Sequence, residues 1–313
     1  MEGGGLAMKI FYVGNFREPY CTEVHIANTL NRLGHEVIRC QEDPNSIFDP
    51  VVVGSCDLFL FTRTWNNFVT LQMLDWLREV KVPSASYHLD LYVGIQREAG
   101  LVDDPFWRTD FVFQPDGDPY SMDVFANQGI NAFWMQPGVD KAECYIESTL
   151  VERDVIFVGS KGYHHEWPYR GQLIDFLHAN YGPRFEHWGS DGMGTIRNAP
   201  LNTLYASTRV TVGDSLCLPG HTNYWSDRPY ETLGRGGFLI MPRIPGLEQE
   251  FVDGEHLVYY EFGELGQLRD LIDYYLVHDD ERETIRQQGH EHVYHHKTYD
   301  RRLTQMLAVI SSG

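Results

Sequence analysis

The chain has 313 residues, of which 42% are hydrophobic and 13% aromatic, which is enough for two domains of about 150 residues with sizeable cores. Its formal net charge of −19 repels nucleic acids and anionic membranes at long range. Basic side chains that bind a phosphate are therefore expected to be few and to lie in a pocket. No run of residues approaches the ~18 continuous apolar positions of a membrane span, so no membrane span is predicted.

The cysteines and the first residues of the chain indicate the cellular compartment. The 5 cysteines lie far apart without a CxxC pair, which argues against a disulfide framework and a structural zinc site and favours a reducing cytoplasm. No basic leader precedes an apolar segment, so secretion is not expected. Residues 1–7 are predicted to be a disordered leader or tag remnant ahead of a fold that begins at Met8.

The first half of the chain alternates predicted strands and helices. Residues 8–16 form a buried strand that is closed by a glycine turn. Apolar positions from Val24 to Leu33 follow helical spacing, and Gly34 is suited to end a helix over 22–34. Further strands are predicted at 35–40, 58–61, 83–88, 110–113 and 132–135, with a second helix at 67–80.

A polar segment up to Arg153 interrupts this pattern, and the alternation restarts with a strand at 154–159 that ends in glycine. The later predicted strands are 185–189, 209–212, 238–241 and 257–260. The predicted helices are 168–180, 200–206, 246–252, 264–278, 280–289 and 298–311. Strands that alternate with helices indicate parallel sheets, so the chain is predicted to be an α/β protein with two doubly wound, Rossmann-like domains.

The predicted domains are residues 8–147 and 148–295, and residues 296–313 form a terminal helix that returns toward the first domain. Ligands of such sheets bind outside the carboxyl ends of the strands. A cleft between two domains that face each other is therefore the expected binding site.

The segment 226–238 is a polar loop that enters a short helix, which ends in glycines and runs into an apolar strand. Glu231 follows Arg228 by three residues. A carboxylate and a guanidinium at a helix N-terminus can recognise hydroxyls and phosphates of one ligand. An ordinary first helical turn, in which Arg228 pairs with Glu231, explains the same residues equally well.

From Arg228 to about Arg302 the sequence resembles the C-terminal half of GT-B glycosyltransferases of the group 1 type, in the branch that includes the CgeB-like spore-maturation proteins. The matching pieces are 228–237, 245–248, 253–260, 265–268, 287–289 and 296–302, with looser matches at 8–14 and 31–37. The resemblance implies two domains that face a central cleft. It also implies sugar transfer from a nucleotide donor without a metal or another cofactor, a UDP-sugar being favoured.

By that resemblance, Glu231 binds the ribose of the donor and the residues just before it bind the diphosphate. Many retaining members carry another glutamate eight positions earlier, where this chain has Asn223. The chain departs from the family pattern there, although an amide still hydrogen-bonds a hydroxyl. His221 and Thr222 belong to the same loop and are predicted donor-binding residues.

Further donor contacts are predicted in the second domain. Ser160 and Lys161 lie in a glycine-bounded turn after its first strand, where a lysine can reach a diphosphate together with Arg228. Lys161 is equally explained as an exposed loop lysine without a ligand. In that case Arg170 is the alternative candidate for the diphosphate contact. Tyr205 lies on the helix that the family places beside the nucleotide base, although a core position explains it as well.

In the first domain, His88 and Asp90 leave the carboxyl end of a predicted strand and are the predicted catalytic residues. His88 is suited to act as a base on an acceptor hydroxyl, and Asp90 to orient it or bind a sugar hydroxyl. A histidine satisfied within a loop is the alternative. Gly14 is expected to let its loop approach the donor closely. No metal site is predicted, because the histidines at 290–296 lack a carboxylate at ligand spacing.

The sequence therefore predicts a cytoplasmic hexosyltransferase that is monomeric or homodimeric. Its expected donor is a nucleotide-sugar. Its expected acceptor is a small molecule, a glycan or a modified nucleotide, and retention of configuration is expected. Three alternatives stay open. They are a glycosyltransferase acting on hydroxymethylated bases of DNA, a GT-B nucleotide-sugar epimerase, and a non-catalytic nucleotide-sugar-binding or scaffold protein.

Overall fold

The computed structural model describes residues 7–63, 68–147, 149–162 and 164–312. Contacts divide the chain into two compact units, Met1–Gln136 with Tyr299–Gly313 and Pro137–Thr298, each as far as it is described. Residues 1–6 of the predicted leader lie outside the described residues.

Within the described residues, the first unit contains a parallel sheet of six strands. They are β1 (Lys9–Gly14), β2 (Glu36–Gln41), β3 (Leu58–Phe61), β4 (Ser84–Tyr87), β5 (Phe111–Gln114) and β6 (Ala132–Trp134). Their order is β2-β1-β3-β4-β5-β6, with Ile10 opposite both Val37 and Leu58. The strand order reverses between β1 and β3, and the carboxyl ends of such strands border a ligand-binding crevice in doubly wound sheets.

The described part of the second unit contains a parallel sheet of five strands. They are β7 (Arg153–Val158), β8 (Phe185–Trp188), β9 (Thr208–Val212), β10 (Leu239–Pro242) and β11 (Val258–Tyr260). Their order is β11-β10-β9-β7-β8, so this sheet reverses between β7 and β9. The two doubly wound sheets confirm the predicted fold class.

Helices cover these sheets. They are α1 (Thr22–Arg32), α2 (Pro50–Val53), α3 (Leu71–Glu79), α4 (Pro119–Asn127), α5 (Tyr169–Tyr181), α6 (Asn198–Ala206), α7 (Arg228–Gly234), α8 (Leu265–Tyr275), α9 (Asp279–His296) and α10 (Tyr299–Ser312). None of the described helices combines the length and apolar character needed to cross a membrane.

Two predicted helices differ from the structure, and two observed helices, α2 and α4, were not predicted. The helix expected at 246–252 is only a 3₁₀ turn at Leu247–Gln249, and α9 is longer than predicted. The longer of the two unpredicted helices, α4, begins after Asp118, whose side chain accepts a hydrogen bond of 2.9 Å from the backbone N–H of Tyr120. An aspartate followed by proline is a turn signal and also a helix N-cap signal, and here it caps a helix.

Apolar side chains pack on the faces of both sheets. In the first unit, α10 contributes Leu303 and Met306 to the same buried cluster as Ile26 and Leu30 of α1. In the second unit, a cluster that includes Tyr230 and Leu233 buries one side of α7. The segment around Arg228 is thereby fixed on the sheet that carries the crevice.

Candidate functional site

The side chain of Arg228 occupies the crevice of the second sheet. Gly159 follows β7 and Gly213 follows β9, the two strands between which the sheet reverses. A Cβ atom on Gly159 would lie 3.2 Å from Nη2 of Arg228, and one on Gly213 would lie 3.0 Å from its Cγ. Gly159 also has a φ of 143°, which side chains rarely adopt. Both glycines therefore leave room for the arginine.

Arg228 retains a buried donor. Its Nη1 donates a hydrogen bond of 3.2 Å to the hydroxyl of Tyr205, whereas its Nε has no exposed surface and no partner among the described residues. Burial acts to lower the pKa of Arg228, but Tyr205, Asp227 and Asp214 outweigh it and raise the pKa above its usual value. A charged guanidinium with a spare donor is suited to bind an anion such as a phosphate.

Arg170 lies beside Arg228 and is fixed by a buried carboxylate. Its Nε donates to both oxygens of Asp214 at 3.0 Å, and Trp167 donates to the same carboxylate at 3.1 Å. Asp214 has no exposed surface and Arg170 is 5% exposed. A Cβ on Gly159 would lie 3.7 Å from Nη1 of Arg170. Both guanidinium groups therefore face the end of β7.

The predicted phosphate-binding turn is held differently. The backbone N–H groups of Lys161 and Gly162 donate to the carboxylate of Asp191 at 3.0 and 3.1 Å. The ammonium of Lys161 is paired with Asp175 on α5, and its side chain is 41% exposed. Ser160 shares a hydrogen bond of 2.8 Å with Ser190. The diphosphate role of Ser160 and Lys161 stays a prediction, and Arg170 lies closer to the crevice.

Glu231 lies on α7 and is held by an arginine that the sequence analysis did not single out. Its Oε2 accepts a hydrogen bond of 2.8 Å from Nε of Arg235, one helical turn later. A quarter of the Glu231 side chain is exposed, whereas Arg235 is buried. The i,i+4 spacing of the two residues is a sequence signal that could have found this pair.

The loop before α7 is anchored on the segment after β10. The backbone N–H of Asn223 donates to the carbonyl of Pro245 at 2.8 Å, and its side-chain amide donates to Thr222 Oγ1 at 3.3 Å. Asn223 has a left-handed backbone with a φ of 56°. Asparagine tolerates this conformation better than most residues, including glutamate. The geometry gives a physical reason for an asparagine at this position. His221, in the same loop, is half-buried.

Tyr205 is fully buried, as expected of a core residue. Its predicted contact with the donor stays a prediction, and its observed partner is Arg228.

His88, one of the two predicted catalytic residues, lies buried inside the first unit. It is 2% exposed, and its ring stacks on that of Trp107 with centroids 3.7 Å apart. Burial, with Arg63 and Arg97 adding to it, lowers the pKa of His88 well below its usual value, so the imidazole is neutral at neutral pH. The rings that bury it come from a later loop of the chain and could not be placed by sequence spacing.

Asp90 is the more accessible of the two predicted catalytic residues. Its side chain is 41% exposed and pairs with Arg97 at 3.1 Å. The catalytic roles of His88 and Asp90 stay predictions.

The space beside Gly14 is filled by the side chain of Glu23. A Cβ on Gly14 would lie 2.7 Å from Cγ of Glu23, so this glycine makes room for a side chain of its own unit. Burial raises the pKa of Glu23 from 4.5 to about 7, with Glu42 adding to it, although backbone N–H groups of Glu23 and Asn15 act in the opposite direction. The sequence analysis did not identify the packing of Glu23 against Gly14.

The clustered histidines lie in the last turns of α9 and contact backbone carbonyls. His290 Nδ1 lies 2.9 Å from the carbonyl of Gly234, and His292 Nε2 lies 2.8 Å from that of Glu250. Burial and the neighbouring His256 lower the pKa of His292 to about 4. Among the described residues, no group of three or more histidine, cysteine, aspartate or glutamate side chains is arranged to hold a metal ion.

Comparison with known proteins gives a family match in the second half of the chain. Residues 165–308 match the model of a family described as glycosyl transferase-like. No curated protein sequence matches the chain.

Solved structures of similar fold cover nearly the whole chain. The HepE protein of Anabaena, in complex with UDP and glucose, is 14% identical, with a TM-score of 0.64 over 98% of this chain and 100% of that one. An α-glucosyltransferase in complex with UDP-glucose and DNA containing an abasic site is 11% identical, with a TM-score of 0.71 over 97% and 100%. The sucrose-phosphate synthase of Thermosynechococcus elongatus is 12% identical, with a TM-score of 0.62 over 97% and 98%. At these identities the likeness concerns the fold alone.

Proposed function

We propose, on the premise that this chain is a glycosyltransferase of the GT-B fold, that it moves a hexose from a UDP-sugar to an acceptor hydroxyl. The proposal includes transfer without a metal ion and with retention of configuration. The narrower CgeB-like branch stays a prediction.

The observation that carries the proposal is the guanidinium of Arg228 in the crevice between β7 and β9, with its buried Nε unpartnered among the described residues. When the bond from the sugar to the donor diphosphate breaks, negative charge grows on the leaving oxygen. A fixed cation at that place stabilises the transition state more than the ground state. Arg228, with Arg170 beside it, would supply this stabilisation, which is why a metal ion is not part of the proposal.

Glu231 supports recognition of the nucleoside part of the donor. An ionised carboxylate only accepts hydrogen bonds, and a ribose offers two adjacent hydroxyl donors. The side chain is partly exposed and lies on the same short helix as Arg228. Phosphate and ribose recognition by α7 would thus fix the donor in one orientation.

We propose that the first unit binds the acceptor. Asp90 is exposed enough to accept a hydrogen bond from an acceptor hydroxyl. His88 is neutral and enclosed by aromatic rings, so we propose that it supports the loop that carries Asp90.

Calorimetry with UDP, GDP and ADP in the presence of a chelator tests the donor assignment. We expect binding of UDP in preference to GDP and ADP, with no requirement for a divalent cation. Absence of binding by all three nucleotides would falsify the proposal. Product analysis with UDP-sugars and simple hydroxyl acceptors would then separate transfer from epimerisation and from binding without turnover.

A DNA acceptor is the second candidate, because the α-glucosyltransferase that resembles this chain with a TM-score of 0.71 was solved with DNA. The net charge of −19 opposes it, since the phosphate backbone dominates the affinity of proteins for DNA. A gel-shift experiment with duplex DNA at low salt decides the matter, and a shift at micromolar protein would favour the DNA acceptor.

A further inference from the structure

Arg235 sits at the centre of a buried polar cluster behind Glu231. Its Nε donates to Glu231 Oε2 and its Nη1 donates to Glu143 Oε2, both at 2.8 Å. The same Nη1 donates to the side-chain oxygen of Asn202. Arg235 is 4% exposed, and Asn202 has no exposed surface. One guanidinium therefore fixes the carboxylate of Glu231 relative to two other parts of the second unit.

The partners of Arg235 are themselves held in place. The amide of Asn202 donates to the backbone carbonyls of Glu143 and Tyr145 at 2.8 and 3.0 Å. Burial acts to lower the pKa of Arg235, but Glu231 and Glu143 outweigh it and raise the pKa above its usual value. The guanidinium is thus charged. Together with the carboxylates of Glu231 and Glu143 it forms a cluster with two negative charges and one positive charge.

We propose that Arg235 is a positioning residue for the donor, which orients the carboxylate of Glu231 toward the ribose hydroxyls. The inference rests on the proposed function and adds to it the residue that sets ribose recognition. A glutamate side chain has three rotatable bonds, and a partly exposed one samples several rotamers unless a neighbour fixes it. A planar guanidinium that binds two carboxylates at once removes this freedom, and a lysine ammonium does not reproduce its geometry.

An ordinary ion pair that only stabilises α7 is the alternative. It predicts that variants of Arg235 lose stability and lose affinity for every nucleotide equally. Positioning predicts a selective loss, because only ligands with ribose hydroxyls use Glu231. The ratio of affinities for UDP and 2′,3′-dideoxy-UDP therefore separates the two interpretations.

The experiment measures this ratio by calorimetry in the full chain, together with the donor KM and kcat where turnover is found. In the unmodified protein we expect UDP to bind about 10–100-fold more tightly than 2′,3′-dideoxy-UDP, since hydrogen bonds to a charged group are lost in the analogue. We expect E231A to bring the ratio close to one. R235K should lower it at least threefold and raise the donor KM more than it lowers kcat.

Two further variants keep the test decisive. R235Q combined with E143Q removes the arginine together with one of its carboxylates, so the net charge of the cluster is unchanged, and it should lower the ratio as R235K does. R282K is the matched control, because Arg282 is equally buried in the same unit and donates to the carbonyl of Tyr275. It should leave the ratio unchanged.

A ratio that stays at the unmodified value in R235K and in the double variant, while E231A abolishes it, would overturn the positioning role of Arg235. A ratio close to one in the unmodified protein that binds UDP would overturn ribose recognition by Glu231 and the inference with it. Absence of any UDP binding would instead show that the proposed function itself is wrong.

Discussion

The crevice of the second sheet is filled by two arginines, whereas a glutamate side chain fills the space at the turn after the first strand of the first sheet. Arg228 and Arg170 face Gly159 after β7, and Glu23 lies against Gly14 after β1. Both sheets reverse their strand order next to these glycines. The same topology therefore creates two similar openings, and the side chains placed there decide whether an anion is attracted or repelled.

The difference also extends to protonation. Arg228 in the cationic crevice keeps its charge, because its surroundings raise its pKa above the already high value of an arginine. The acidic turn changes charge near neutrality, since the pKa of Glu23 is about 7. We therefore expect pH to act on the first unit far more than on donor binding by the second.

The largest expected effect concerns the support of the cationic crevice. D214N leaves Arg170 buried without its counter-charge, and breaking a buried pair costs about 3–5 kcal/mol. We expect D214N to lower the free energy of unfolding, measured by denaturant titration, by at least about 3 kcal/mol. D175N is the control, since Asp175 is exposed, and it should change the free energy of unfolding by less than about 1 kcal/mol. Equal effects of the two variants would contradict the structural role of the Arg170–Asp214 pair.

The acidic turn should make stability depend on pH. Because the folded pKa of Glu23 is about 7 and its usual value is 4.5, the folded state holds this proton more tightly than the unfolded chain. This contribution is complete below pH 4.5 and is lost as the pH rises through about 7, which amounts to about 3 kcal/mol. E23Q should remove this part of the pH dependence of unfolding, measured between pH 4.5 and 8, whereas E36Q at an exposed position should retain it. An unchanged profile in E23Q would argue against the elevated pKa.

The cationic crevice itself is tested by R228Q. Loss of a charge-assisted contact should weaken UDP binding about 10–100-fold in calorimetry, with little change in the folded structure by circular dichroism. The control is R209Q, because Arg209 lies at the opposite end of β9 and pairs with Glu152 and Asp154. Similar losses in both variants would mean that the overall charge of the unit, rather than the crevice, attracts the nucleotide.

The smallest effect is expected for K161Q. The ammonium of Lys161 is engaged by Asp175 at an exposed position, and such pairs contribute about 0–1 kcal/mol. The affinity for UDP should change by less than about threefold. The free energy of unfolding should change by less than about 1 kcal/mol. A loss as large as that of R228Q would show that Lys161 leaves Asp175 to bind the donor.

Much of the fold could be predicted from the sequence because local signals and packing agree. The strand predicted at 58–61 has the observed bounds of β3, since its apolar run is buried on both faces. The helix α4 was missed because the Asp-Gly-Asp-Pro segment before it also carries turn chemistry. Local patterns cannot decide between these two uses of the same residues.

Less of the candidate site could be predicted. Arg228 and Glu231 were singled out from their place at a predicted helix start, and the family resemblance added their expected roles. The buried surroundings of His88 arise from rings of a distant segment, and Glu23 meets Gly14 only after α1 packs on the sheet. Contacts of this kind depend on tertiary packing, which sequence spacing does not encode. Arg235 is the exception, because its spacing from Glu231 was visible in the sequence.

The fit between Asn223 and Gly246 bears on how the loop before α7 could be altered in this chain. A Cβ on Gly246 would overlap Oδ1 of Asn223, and the φ of 99° at Gly246 also disfavours a side chain. Asn223 in turn has a left-handed backbone. The two positions are therefore coupled, because a side chain at 246 needs space that Asn223 occupies. We therefore expect a library that varies both segments together to yield more folded variants than one that varies Gly246 alone.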